Sequence, residues 1–546
     1  MKNLSDPVNS TTAIVASDLQ TKSGWRRMLN WALGLVAFAW VAVLVAWSAL
    51  HIFIVPRIGD YREVMQQQAS RVMGVRVDIG SIRTRGGWLV PWFEVDDMVL
   101  FDREGREALR LPRVMAAVSP LSALFGQFEQ LDIENPELEI RRDAQGHVWV
   151  AGLDTSAAGD GSGADWFFSQ PAFVVRQGVV HWRDDSRAVT NAPVLTLQGV
   201  DVSVKNHWFQ HALRVEATPP EAVGQRLSVR GKFYQLPWQR AGDTSQWSGE
   251  LFADLPYVDL ATLRQWVAMD KGLSLQEGRG AVRVWTDVQK GQAMGVTADV
   301  ALDAVAARLG TDLLPLSLRH VHGRVGAQRQ DGEVEISSQD LVFDTQEGEH
   351  WPGGVVRVSW RGDAFESGTF SADRLDLDAL VQISQRVPLS EQVRDLLARA
   401  QPQGQVNQLK ATWQTNDDAS LHYSARGQVR QFSMQRDARP DSPLVHVPGM
   451  QAAQLEFELT QKGGKARVSI HNGSLTLPLG LDEPRIALEE ASAQMAWQLK
   501  GDDVAVQFTQ GRVVNDDMAG EFNGNWKTGE GDARLPGVLD LTASLS

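Results

Sequence analysis

The chain has 546 residues, with 53 basic against 67 acidic side chains, a formal net charge of −14 and no cysteine. The acidic balance argues against a nucleic-acid binder, because phosphate binding needs clustered Lys and Arg. The lack of Cys excludes disulfide scaffolds, thiol nucleophiles, thiolate zinc sites and iron–sulfur clusters.

The first element is apolar. From Met28 to Pro56 no Asp, Glu, Lys or Arg occurs. The stretch 31–55 exceeds the ~20 apolar residues that cross a hydrocarbon layer. Ala46, Ser48 and Ala49 imitate a signal-peptide cleavage site. The run is longer than a signal core of about 7–15 residues, so an uncleaved anchor is expected over 28–56. Trp31, Trp47 and Val55 mark this anchor, and its Trp residues suit the two interfaces. Lys22, Arg26 and Arg27 precede it; Arg57 and Arg62 follow. Residues 1–27 are therefore expected as a cytoplasmic tail, with everything after the anchor outside.

Residues 57–154 read as a membrane-proximal α/β segment that begins with a helix over 59–73, ended by Gly74. Residues 155–165 are poor in bulky side chains and read as a flexible loop. Then a period of two dominates. Val282, Val284, Thr286 and Val288 point one way, and Arg283, Trp285 and Asp287 the other. The same alternation recurs at 296–304, 455–459, 466–470, 475–479 and 504–508. Side chains alternate across a strand, so each segment has one apolar and one polar face. Breaks fall at Gly231, Gly291, Asp331-Gly332, Gly463-Gly464 and Gly501-Asp502-Asp503.

Helices are few: 120–127, 258–267 with Asp259 as N-cap, 378–386, and 390–400 capped by Ser390. Trp182, Trp285, Trp360, Trp413, Trp497 and Trp526 recur beside the strands, as in an array whose units lean on neighbours. The expected fold is mainly β: a transmembrane helix, then an elongated, curved antiparallel sheet forming a repetitive groove. The groove spans 166–404, with helices near 258–267 and 378–400, and continues through 405–546.

No catalytic motif emerges. G-x-S-x-G, P-loop, H-E-x-x-H and G-x-G-x-x-G patterns are all missing. His207 with His211, and His320 with His322, read as solvated or packed histidines, because no carboxylate triplet accompanies them. Asp184-Asp185, Asp502-Asp503 and Asp516-Asp517 fall in expected turns. Neither a metal nor another cofactor is expected.

The apolar stripes are the informative feature. A long sheet curled into a trough leaves part of its inner face for acyl chains, at ~0.8 kcal/mol per methylene removed from water. Head groups stay at the open seam. The candidate lining is Val282, Val284, Val300, Leu302, Leu455, Phe457, Val468, Ile470, Leu475 and Leu477.

Certain residues also carry a likeness. The anchor is followed by Tyr61-Arg62 and by the strand 74–80 (GVRVDIG). Trp88, FEVDDMVL (93–100), LDIENPEL (131–138) and the segment 141–153 ending in HVWVAGL come next. VVHWRD (179–184), LRVEATP (213–219), WSGELFA (247–253), ADRLDLDAL (372–380), 388–397 and GVLDLTASLS (537–546) complete the series. In this order they resemble the AsmA-like superfamily, most closely the YhdP family of bacterial envelope proteins. The resemblance implies a taco-shaped β-groove of bridge type, anchored in the bacterial inner membrane with its body in the periplasm. It implies a role in moving glycerophospholipids from the inner to the outer membrane. Family members usually run far beyond this length, so a distal part that contacts the outer membrane or envelope proteins is expected to be missing. Two rival readings compete with the conduit: a scaffold that pairs its sheet edges with client strands, and an envelope enzyme acting on polysaccharide.

Overall fold

The computed structural model describes residues 18–545 apart from 50, 53–54, 74–75, 87–89, 102–104, 120–121, 123–126, 144, 146–147, 151–152, 155–161, 186–193, 267–273, 363–365, 417–419, 437–446, 477–484, 502 and 529–536. For 18–27, 72–73, 148, 153–154 and 162–164 it describes the backbone alone. Helix α1 (Asp18–Ala49) contains an apolar stretch, Met28–Ala49, of 22 residues and mean hydropathy 2.2, none of it buried among the described residues. It is long and apolar enough to cross a membrane. A 3₁₀ turn, Val55–Tyr61, leads into α2 (Arg62–Met73). Val55 packs against the first core cluster of the body, so the described helix ends short of it.

The 27 strands seen among the described residues join in one curved sheet. The first group is β1 (Val77–Arg85), β2 (Trp92–Phe101), β3 (Glu107–Ala117), β4 (Gln130–Glu134), β5 (Glu137–Arg142), β6 (Val148–Val150), β7 (Leu153–Asp154) and β8 (Ala172–Asp184). Next come β9 (Leu195–His207), β10 (Gln210–Thr218), β11 (Leu227–Tyr234), β12 (Ser248–Asp259), β13 (Ser274–Gln289), β14 (Gln292–Arg308), β15 (Leu316–Gln330) and β16 (Glu333–Thr345). The rest are β17 (His350–Trp351), β18 (Val355–Arg361), β19 (Ser367–Asp376), β20 (Gln403–Thr415), β21 (Leu421–Met434), β22 (Gly449–Thr460), β23 (Gly463–Thr476), β24 (Arg485–Lys500), β25 (Asp503–Val514), β26 (Ala519–Thr528) and β27 (Gly537–Leu545).

From β8 onward neighbours in sequence are mostly antiparallel neighbours in space, as alternation predicts. One departure is that β8 runs parallel to β4 and β5. The β6–β7 pair and helix α3 (Ser162–Ser169) lie in the connection, which makes it long enough for a parallel return. The expected loop over 155–165 thus gives way to helix from Ser162, and 155–161 lies outside the described residues.

Two more expectations change. Gly231 sits within β11 and not at a break; a Cβ there would meet the Phe233 ring at 2.5 Å, so the ring covers the glycine. The helix expected over 258–267 shortens to one turn, α4 (Leu260–Leu263), because β12 extends through Asp259. Asp259 still caps it, accepting from Thr262 N–H at 2.8 Å. The helices α5 (Leu377–Ile383) and α6 (Glu391–Ala400) form, capped by Asp376 and Ser390. The candidate helix 120–127 lies almost wholly outside the described residues.

The sheet bends along a row of β-bulges. Gln177, Asp340, Gln431, Ala452 and Gln510 adopt positive φ where the pairing register slips. Each inserts a residue on one strand, kinks it and sharpens the twist. On β21 and β22 the bulges stand opposite each other, so the bends add into a crease. Cores collect there: Leu302, Val305, Leu318, Val321 and Phe343 with Leu260 and Ile383, then Leu375, Val406 and Val429, then Ala453, Ile470 and Leu488.

The edge of β1 is covered. Val77 N–H donates to Ser70 Oγ at 2.9 Å, and Ile79 N–H to Gln66 Oε1 at 3.2 Å. Side chains of α2 thereby replace a neighbouring strand, which protects an edge otherwise open to pairing.

Candidate functional site: an apolar lane across the sheet

Residues paired across antiparallel strands share a face, so the pairing register shows which side chains line up. One row starts Thr84–Phe93–Ala116–Leu131–Phe173–Val204–Leu213–Gly231. It continues Leu251–Thr286–Val296–Ala327–Ile336–Val358–Phe370. It ends Ala411–Ala425–Leu459–Gly464–Trp497–Val506–Trp526–Leu539. The row passes through every described strand except β5, β6, β7 and β17, and only its two threonines are polar. At about 4.8 Å per strand it is roughly 100 Å long.

Beside it runs a second row, Ile82–Val95–Val114–Ile133–Val175–Val202–Val215–Val229 and onward through Ala253, Val284, Ala298, Val325, Ser338, Val356 and Ala372 to Leu409. Together they form a lane at least two side chains wide.

The row between them faces the other way and is polar. Arg357, Ser371, Lys410, Arg426, Glu458 and Lys465 follow one another across β18 to β23. Lys465 pairs with Glu458 at 2.7 Å and Arg324 with Asp299 at 2.6 Å. The Arg324 guanidinium holds the Asp299 carboxyl below the usual range, and the Lys465 ammonium does the same for Glu458. These pairs are solvent-facing and contribute little stability each; they keep this face wet. Two open depressions of about 630 and 810 Å³ lie along the strands; the first is lined by Lys232, Glu250 and Asp287, the second by Lys410, Glu458 and Lys465 together with the lane residues Ala425, Leu459 and Trp497.

The lane itself changes along its length. Over the first strands it is closed by the chain's own core, which includes Phe93, Leu131, Phe173 and Val204 with Phe167 and Phe168 packed on them. From Leu251 onward it is half-exposed, and Val296 and Ile336 reach 41% and 48% exposure.

All described members of the sequence-derived lining fall on this face. Val284 and Phe457 lie half-exposed in the lane, with Val282 paired to Val300 and Leu455 to Val468 beside them. Leu475 packs on the last crease core. Leu302 and Ile470 are 9% and 3% exposed, closed off by neighbours in the crease, so they hold the bend and leave no surface to share. Leu477 lies outside the described residues. Sequence reasoning missed Leu213, Leu251, Ile336, Trp497 and Trp526, whose membership depends on cross-strand register.

The histidines are occupied singly. His320 Nδ1 lies 2.6 Å from Asp303. His211 Nδ1 lies 2.7 Å from Asn206 Oδ1 and its ring stacks on Trp247 at 4.2 Å, and burial pushes its pKa down. No group of three or more His, Asp or Glu suited to a metal occurs among the described residues.

The one apolar helix among the described residues, ahead of one long sheet, fits an AsmA-like envelope protein. Residues 23–546 match the family model described as YhdP protein. The chain belongs to the YhdP family. No curated protein matches it.

Proposed function

We propose that the chain conducts glycerophospholipids between the inner and outer membranes, supporting outer-membrane lipid homeostasis and the permeability barrier. Residues 1–27 lie in the cytoplasm, the apolar helix Met28–Ala49 spans the inner membrane, and the body, on whose core Val55 already packs, stands in the periplasm. The observation that carries this reading is the apolar row from Phe93 to Leu539, interrupted only by Thr286, with a charged row on the opposite face.

Acyl chains complete the burial of the half-exposed stretch, at ~0.8 kcal/mol per methylene. Each contact is small and the next strand offers its equal, so sliding costs little. Head groups remain at the water-facing seam, since burying a charge unpaired is expensive. Direction comes from a source or sink outside the groove. The role invokes no catalytic residue and no cofactor.

Mass spectrometry of lipid co-purified with the chain tests the reading. Bound phospholipid supports it; a lipid-free body with its lane packed shut contradicts it. The edge-pairing scaffold has less support, because Ser70 and Gln66 already occupy the edge of β1.

A further inference from the structure

The turn from β9 to β10 breaks a rule that other hairpins of the sheet keep. Two-residue hairpin turns need positive φ, which favours Gly, Asn or Asp. Lys290-Gly291 and Asp331-Gly332 comply, each with a glycine at positive φ. Between β9 and β10 the pair is Trp208-Phe209, and Trp208 holds φ 53 with 83% of its surface exposed. That backbone is strained for a bulky residue, and the indole gains little burial within the chain. A local rule broken without a packing return calls for a use outside the fold.

A second tip stands beside it. Gln235 N–H donates to Phe209 O at 3.0 Å and ties the segment after β11 to this turn. There Gln239 N–H donates to Leu236 O at 3.0 Å, and Gln239 Oε1 accepts from Leu236 N–H at 2.8 Å. The turn so closed carries Pro237 and Trp238 at its tip, with Trp238 79% exposed and Leu236 also exposed. Trp208, Phe209, Leu236 and Trp238 on two pinned turns form one patch, unlike the single exposed apolar residues that are normal on a surface. At the other end of β10 the turn over 219–226 exposes Pro220, Glu221, Gln225 and Arg226, and it buries Val223.

The anchor reaches the body at the patch's end of the strands. From Gly59 to Ser70 the chain runs antiparallel to β1. A Cβ on Gly59 would lie 4.0 Å from Ile82 O, Arg62 donates to Gly80 O at 3.3 Å, and Ser70 Oγ accepts from Val77 N–H at 2.9 Å. Traced back, the path leads to the Arg85 end of β1. β2, β4 and β8 begin at that end, and β9 finishes there. The β9–β10 turn is five strands along from β1, about 24 Å at ~4.8 Å per strand. Only residues 50–54 separate α1 from Val55 in the first core, at most roughly 20 Å of chain. Charge around the tips balances, with Lys205, Lys232 and Arg240 against Asp165, Asp243 and Glu250. A chain of net charge −14 therefore meets an anionic lipid surface here without local repulsion. Trp joins an apolar ring to a polar N–H, which suits the boundary between head groups and hydrocarbon.

We infer that Trp208, Phe209, Leu236 and Trp238 insert into the surface of the bilayer that holds α1, as a second foothold beside the anchor. Both footholds lie at one end of the strands, so the first strands stand on the bilayer by their ends. The lane, which crosses the strands, then sets out along the membrane surface. The inference needs the anchor and not the conduit: a chain that carries no lipid would dock in the same way.

The chain has no native Cys, so single labels test this in the full-length protein. Phe38→Cys in the anchor, His207→Cys beside the first tip and Glu221→Cys at the opposite strand end each carry an NBD dye. The protein is reconstituted into vesicles of phosphatidylethanolamine and phosphatidylglycerol that include phospholipid with acyl-chain nitroxides. Docking predicts quenching at Phe38 and His207 and none at Glu221. An apolar contact is not screened, so raising salt from about 0.1 to about 0.5 M should leave the pattern unchanged. Trp208→Ser with Trp238→Ser should abolish quenching at His207 and spare that at Phe38, and unchanged hydrogen exchange of β10 would show that this variant is folded. Equal quenching at Glu221 and His207, none at His207, its loss in high salt, or indifference to the Trp changes would each overturn docking. A blue shift at His207 without quenching, growing with the protein-to-lipid ratio, would assign the patch to a second copy and overturn it as well. No quenching at Phe38 would bring down the anchor too. None of these outcomes touches the conduit, which co-purified lipid tests separately.

Discussion

The backbone N–H of Gln177 on β8 donates to Oδ1 of Asp201 on β9 at 3.0 Å. Gln177 is the extra residue of a bulge, so its N–H has lost its ladder partner, and a side chain from the adjacent strand replaces it. The device recurs. Ala452 N–H donates to Ser433 Oγ at 3.3 Å, and Gln510 N–H to Asn523 Oδ1 at 3.0 Å. An unpaired amide at a bend is costly, so these acceptors are what allow the sheet to fold along its crease.

Asp201→Ala is therefore expected to loosen the bend by about 1 kcal/mol, read as faster hydrogen exchange at Gln177 and Gly178 with distant strands unchanged. The Gln177 N–H, then Arg226, holds the Asp201 carboxyl below its ordinary value of 3.8. A lowered folded-state pKa stabilises above the unfolded value and loses that contribution as pH falls through the folded one. Protection at Gln177 should thus stay level from neutral pH down to about 4 and drop below it. Asp201→Asn should flatten that drop.

Polarity within the lane should matter more than polarity on the wet face. Phe457→Asp places a charge between Gly427 and Ala466, where acyl chains would lie. Co-purified phospholipid is expected to fall by about tenfold, the equivalent of 1.4 kcal/mol. Glu458→Gln, one residue along and facing water, should leave the lipid content unchanged.

The crease core should be sensitive where helices fill it. Ile383 of α5 is 4% exposed among Leu318, Val321 and Phe343. Ile383→Ala is expected to cost about 2–5 kcal/mol of local stability through the cavity it leaves. Leu396 on α6 is 45% exposed, and Leu396→Ala should stay within about 0.5 kcal/mol. Protease protection of the 377–400 segment separates the two.

Uncovering the first edge tests the scaffold reading. Gln66→Ala with Ser70→Ala removes both acceptors that satisfy β1. Amide exchange at Val77 and Ile79 should accelerate, while lipid carried in the distal lane stays constant. Gain of strand binding by the uncovered edge, with lipid binding intact, would favour strand pairing as the activity.

Much of this was legible in the residues. Val282 to Val288 and Leu455 to Leu459 alternate strictly, and period two has one structural meaning when it persists. Ser390, Asp259 and the α1 stretch were equally readable, because caps and hydropathy are local. Register was not. Whether Val284 meets Ala253 or Leu251 depends on irregularities in the β12–β13 ladder, such as the shift between Leu255 and Val258, which have no sequence signature. The same blindness assigned Leu302 and Ile470 to the open lane, although they sit in the bend. Residues 162–165 read as loop because Ser and Gly dominate them; the helix exists because Trp166, Phe167 and Phe168 bury against Phe128, Phe173 and Trp247.

The most direct measurement is photo-crosslinking in living cells at consecutive positions on three strands: Val284 and Trp285, then Phe457 and Glu458, then Ala496 and Trp497. Side chains that alternate between faces should give phospholipid adducts at Val284, Phe457 and Trp497 and none at their neighbours. Adducts at every position, or at none, would contradict a lipid-bearing lane.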